Sequence, residues 1–62
     1  MGEFEIELVS KRGFSVVGRA NDAESALNLM DVAMREYPTG HIRIRRGTKI
    51  HFERMPPRIS QG

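Results

Sequence analysis

The sequence predicts an α+β fold of order ββαββ: one four-stranded, mostly antiparallel sheet with a single helix packed on one face. Three observations carry this expectation. Residues 3–9 alternate strictly, with Glu3, Glu5 and Glu7 set against Phe4, Ile6 and Leu8. That is the period of a strand with one buried face. Ala23, Ala26, Leu27, Met30, Ala33, Met34 and Tyr37 fall on one stripe at helical spacing. Two glycine-ended turns, Lys11-Arg12-Gly13 and Arg45-Arg46-Gly47, stand one before and one after that stripe.

Each element follows from local chemistry. After the alternating strand, Ser10 to Gly13 turns the chain into a second strand, Phe14 to Arg19, with Phe14 and Val16 inward. Asn21 suits a helix N-cap, and Glu24 three residues later completes a capping box. Asp22 and Glu24 also favour the positive end of the helix dipole. The helix is expected from Asp22 to Glu36, and Pro38 and Gly40 stop it. His41 to Arg45 is a third strand with Ile42 and Ile44 inward. Thr48 to Glu53 is a fourth, with Ile50 and Phe52 inward. Met55-Pro56-Pro57 ends the order, so residues 1–55 form one domain and 56–62 a flexible tail.

Register is set by the turns. A three-residue loop at 45–47 pairs Ile44 with Thr48 and Ile42 with Ile50, and gives Gly47 the position that needs positive φ. The same loop at 11–13 pairs Leu8 with Val16 and sets Glu5 opposite Arg19. If the first and third strands are neighbours, the strand order is 2-1-3-4. The acidic row of the first strand then lies beside His41 and Arg43 of the third, and this neutralises much of the basic surface. His41 and His51 would face each other on that outer side, near Arg43 and Glu53.

Charge is divided along the chain. Residues 1–40 hold four basic and seven acidic groups, net −3, and residues 41–62 hold six basic groups and one acid, net +5. A basic half suits phosphate or an acidic protein surface. Thirty-nine per cent of residues are hydrophobic, enough for a small core, so wholesale disorder is not expected. No apolar run spans a membrane, and the first residues lack the basic start and apolar stretch of a signal peptide. With no cysteine there is no disulfide framework or thiolate metal site. The expectation is a cytoplasmic chain without membrane contact. A chain this short buries a small core, which favours self-association as one further way to cover apolar surface.

Chemistry-bearing motifs are sparse. Gly13 to Ala20 has the glycine spacing of a phosphate-binding loop, but Arg19 and Ala20 stand where lysine and a hydroxyl are needed. His41, His51 and Glu53 could ligate zinc, or with Arg43 cleave a phosphodiester. Two histidines without a third clear ligand weigh against it. The expectation is therefore no catalytic set, no cofactor and no metal. The basic set Arg43, Arg45, Arg46, Lys49, Arg54 and Arg58 could contact phosphates. Base stacking needs exposed aromatics, and all four aromatics are assigned to the core face. Leu29 and Val32 fall off the buried helical stripe and Val17 off the buried sheet face, as a contact surface would.

The opening hairpin resembles that of short phage-encoded inhibitors of bacterial RNA polymerase. So do the entry Ala20-Asn21-Asp22-Ala23-Glu24-Ser25-Ala26-Leu27 into an amphipathic helix, the Pro38-Thr39-Gly40 exit and a strand bearing Arg43 and Arg45. The similarity covers roughly residues 4–46. It implies contacts by acidic helix residues and strand arginines, here Asp22, Glu24, Asp31, Arg43 and Arg45.

The functional expectation is a small non-enzymatic interaction module that binds a protein partner, or a second copy of itself as a homodimer, through a charged sheet face or edge. Its partner-binding residues are expected to be Arg43, Arg45, Arg46, Lys49, His51, Leu29 and Val32. The alternative is a nucleic-acid-binding protein that uses the basic second hairpin and tail.

Overall fold

The computed structural model describes residues 3–56. Its elements are β1 (Phe4–Ser10), β2 (Gly13–Ala20), α1 (Ala23–Glu36), β3 (His41–Arg46) and β4 (Lys49–Arg54). The four strands form one antiparallel sheet in the order β2-β1-β3-β4. The ββαββ order is as predicted, and the first and third strands are neighbours, the condition under which the order 2-1-3-4 is expected. Of the tail expected over 56–62, residues 57–62 lie outside the described residues.

One face of the sheet carries α1. Phe4, Ile6, Ala20, Ala26, Met30, Ala33, Ile42 and Ile44 form the buried core, with Leu8 and Met34 packed against it. The helix contributes two alanines and one methionine to that core, so its axis lies close to the strands. It packs across β2, β1 and β3 but does not reach β4.

The N-cap is Asp22 rather than Asn21. Asp22 has extended backbone angles, and its Oδ1 accepts a hydrogen bond from the Ser25 N–H at 2.8 Å. Ser25 therefore holds the third helical position, and the Asn21–Glu24 box does not form. At the other end the Tyr37 N–H donates to the Ala33 carbonyl at 2.8 Å, and Pro38 follows.

Both turns depart from the expected register, the second by more than the first. Each loop has two residues instead of three. Ser10 pairs with Gly13 and Leu8 with Ser15, not Val16. Arg46 pairs with Lys49 and Ile44 with Phe52, not Thr48. On β2 the missing loop residue reappears as a β-bulge between Val16 and Gly18. The second loop instead lies at 47–48, so Ile42 meets Arg54 rather than Ile50, and β4 carries a bulge between Ile50 and Phe52. Beyond the first bulge Glu5 meets Arg19 as expected. Between turn and bulge, however, side chains change faces. Phe14 and Val16 lie on the outer face with Val9 and Glu7, and Ile50 lies there beside Arg45. At Gly18, beyond the first bulge, an added Cβ would sit 3.4 Å from Leu29 Cδ1, so α1 lies close over β2 at that point.

Gly47 opens its two-residue loop at φ +63, a left-handed conformation that costs an L-residue about 1–2 kcal/mol. Gly47→Ala is expected to lower stability by about 1 kcal/mol, read as a reduced urea midpoint with an unchanged slope.

Candidate functional site

The outer sheet face carries the acidic and basic rows side by side. Glu7 points away from the helix and is nonetheless 0% exposed. Arg43 Nε donates to its Oε1 at 2.6 Å, and Arg45 Nε donates to its Oε2 at 2.8 Å. Arg45 Nη2 also reaches Glu5 Oε1 at 3.1 Å, and Glu5 Oε2 accepts from Arg19 Nε at 3.4 Å. The result is a continuous ladder, Arg19–Glu5–Arg45–Glu7–Arg43, across three strands. Its geometry follows from cross-strand pairs Glu7–Arg43, Glu5–Arg45 and Glu5–Arg19. The Phe14 ring lies over part of the ladder, 5.2 Å from the Arg43 guanidinium carbon and 5.4 Å from that of Arg45.

Burial is the largest single influence on the Glu7 carboxyl, and it disfavours ionisation. Hydrogen bonds from Arg45 and Arg43, with their charges, outweigh it and hold the carboxyl below its ordinary range. Glu7 is therefore a buried anion clamped by two cations at neutral pH. Arg45 Nη1 donates further to the Gly47 carbonyl at 2.7 Å, which ties the ladder to the second turn.

This ladder sorts the basic residues of the second half. Arg43 and Arg45 are engaged internally. Arg54 Nη2 donates to the Tyr37 carbonyl at 2.8 Å. Arg46 and Lys49 have no carboxylate partner among the described residues.

Arg46 and Lys49 flank a groove on the helix side. A helix about 10 Å wide covers two or three strands spaced near 4.8 Å, not four. Because α1 lies over β2, β1 and β3, the inner side of β4 stays open. Leu27 and Phe52 face that opening, each 50% exposed. They line a groove of ≈ 370 Å³ with Phe4, Ala23, Ala26, Ile44 and His51. His51 belongs also to the adjoining mouth, formed with Glu3, Arg46, Gly47, Thr48 and Lys49. The Arg46 guanidinium carbon lies 5.3 Å from the Phe4 ring centroid, and the His51 ring meets the Phe4 ring edge-on at 5.4 Å. Phe4 is thus the point where the apolar floor joins the basic rim.

The seven residues expected to bind a partner separate into three places. Arg46, Lys49 and His51 come together at the groove mouth. Arg43 and Arg45 stand in the ladder. Leu29 and Val32 occupy the opposite flank of the helix, where Leu29 packs beside Gly18 of β2. Periodicity alone assigns Leu27 and Phe52 to the core. The width of a four-stranded sheet against one helix is the signal that marks them as uncovered.

The facing histidine pair does not form. The bulge turns His51 to the helix side, while His41 Nε2 shares a hydrogen bond with Glu53 Oε2 on the outer face. Among the described residues no cluster of His, Cys, Asp or Glu could hold a metal ion. Gly13 to Ala20 is strand, not a loop opening a helix. No helix among the described residues is long and apolar enough to cross a membrane. Of the acidic residues near the helix, Asp22 caps it and Asp31 pairs with Arg35 at 3.0 Å.

No protein family, curated protein or solved structure matches this chain.

Proposed function

We propose that this protein is a non-enzymatic interaction module that docks a protein partner against the helix–β4 groove and its basic rim. The observation that carries the reading is the coincidence of Leu27 and Phe52, open to solvent, with Arg46 and Lys49, which have no carboxylate partner among the described residues. Exposed apolar area bordered by arginine has the composition of an interface centre and rim. Pairing through a sheet edge is less favoured. Both edge strands, β2 and β4, carry a bulge, a device that interrupts strand addition.

One observation favours nucleic acid as a second reading. Phe14, expected in the core, is 50% exposed on the outer face and could stack a base. The arginines beneath it are already held by Glu7 and Glu5, so that face offers phosphate little unpaired charge.

The test is affinity capture from nuclease-treated lysate with the wild-type chain beside Leu27→Asp and Arg46→Glu, with light scattering on each to detect a second copy as partner. The reading expects a protein, or a self-association, that the wild type retains and both variants lose. Equal capture by all three, or nuclease-sensitive capture abolished by Phe14→Ser, contradicts it.

A further inference from the structure

We infer that the segment docking in this groove is acidic and led by a side chain: one apolar anchor seats between Leu27 and Phe52, and a carboxylate within one or two residues of it is held by Arg46 and Lys49. The inference rests on the groove being the docking site and adds the chemistry of what docks.

Charge complementarity is the first ground. Among the described residues Glu3 is the one acid lining the mouth, against Arg46 and Lys49, so the rim carries net positive charge. Arg46 makes no ion pair among the described residues, and its guanidinium rests on the Phe4 ring. It is free to take a carboxylate without losing one.

Spacing is the second ground. Phe4 lines the apolar groove and lies 5.3 Å from the Arg46 guanidinium carbon. Successive Cα atoms are about 3.8 Å apart. The basic rim thus begins one or two residue lengths from a groove-lining side chain, which suits a carboxylate adjacent to the anchor or one residue further. A groove of ≈ 370 Å³ is at the small end of ligand-sized clefts, which suits one or two anchoring side chains.

The backbone supplies the third ground. The bulge at His51 interrupts the ladder of β4 beside the groove, so an incoming segment does not gain a regular run of strand hydrogen bonds. Recognition falls to side chains.

The test is amide chemical-shift titration of the full chain with a capped hexapeptide, EDFLED, and with its neutral counterpart, QNFLQN. The inference expects saturable shifts at Leu27, His51 and Phe52 with the acidic peptide. It also expects roughly tenfold weaker binding of the neutral one. A similar loss is expected for Arg46→Gln and for Lys49→Gln, each with a wild-type spectrum elsewhere, and binding is expected to weaken as salt rises. Equal binding of both peptides at these residues overturns the acidic chemistry and leaves the groove as the site. Shifts confined elsewhere, or none with either peptide, overturn the inference and the site together.

Discussion

Glu7→Gln is expected to lower the stability of the domain by about 2–3 kcal/mol in urea unfolding, more than any other polar substitution on the sheet. The side chain keeps its size, so the loss is electrostatic. Arg43 and Arg45 then face each other across a neutral amide that cannot balance two guanidinium charges. Arg45 keeps Glu5, and both arginines retain some solvent contact, which sets the loss below that of a wholly buried triad. A domain of this size has about 3–9 kcal/mol in all, so the variant loses a large share of its margin. A loss near zero would mean that the ladder is only a surface decoration.

The same site fixes the direction of the pH response. The folded-state carboxyls of Glu7 and Asp22 lie below their ordinary values of 4.5 and 3.8. For Asp22 the cause is chiefly the hydrogen bond from the Ser25 backbone. A depressed folded pKa contributes stability that is complete above the unfolded value and is lost as pH falls through the folded one. The urea midpoint is therefore expected to hold steady from neutral pH to about 5 and to fall progressively below 4.5. In Glu7→Gln that acid-side decline is shallower, because one of the two groups is gone.

Ile6→Ala is expected to cost about 3–4 kcal/mol, the largest loss from a single core substitution. Ile6 is fully buried on the central strand β1, between Ile44 of β3 and Gly18 of β2. Gly18 has no side chain to move into the vacated space, and the helix already rests on it through Leu29. The cavity therefore stays open, which is the costly case. Circular dichroism during urea titration is expected to show a partly unfolded baseline at low denaturant. Leu27→Ala, half exposed on the groove wall, is expected to shift the midpoint little, and the contrast separates core from groove.

Much of this fold is legible in the chain. The Glu3-Glu5-Glu7 alternation names a strand with one charged face, the apolar stripe names a helix, and the strand order follows only on the condition that the first and third strands are neighbours. The ladder follows once β1 and β3 are neighbours, because Glu5 and Glu7 then meet Arg45 and Arg43. What the chain does not disclose is where each turn falls. In the first hairpin a three-residue loop and a two-residue loop followed by a bulge share the register far from the turn, so Glu5–Arg19 is the same in both while Phe14 and Val16 exchange faces. In the second the loop lies at 47–48, and every expected pair shifts: Ile42 meets Arg54 rather than Ile50, Ile50 moves to the outer face, and Lys49 and His51 move to the helix side. The groove was hidden for another reason. Leu27 and Phe52 obey the buried period of their elements, and only the width of the sheet relative to one helix shows that nothing covers them.

Four neighbouring cations divide into two that hold the sheet together and two that are left for a partner. Urea unfolding of Arg43→Gln, Arg45→Gln, Arg46→Gln and Lys49→Gln, measured side by side at neutral pH, reads that division directly. Clearly lowered midpoints are expected for the first two and wild-type midpoints for the last two. Four equal midpoints, or losses at Arg46 and Lys49 in place of Arg43 and Arg45, would contradict it.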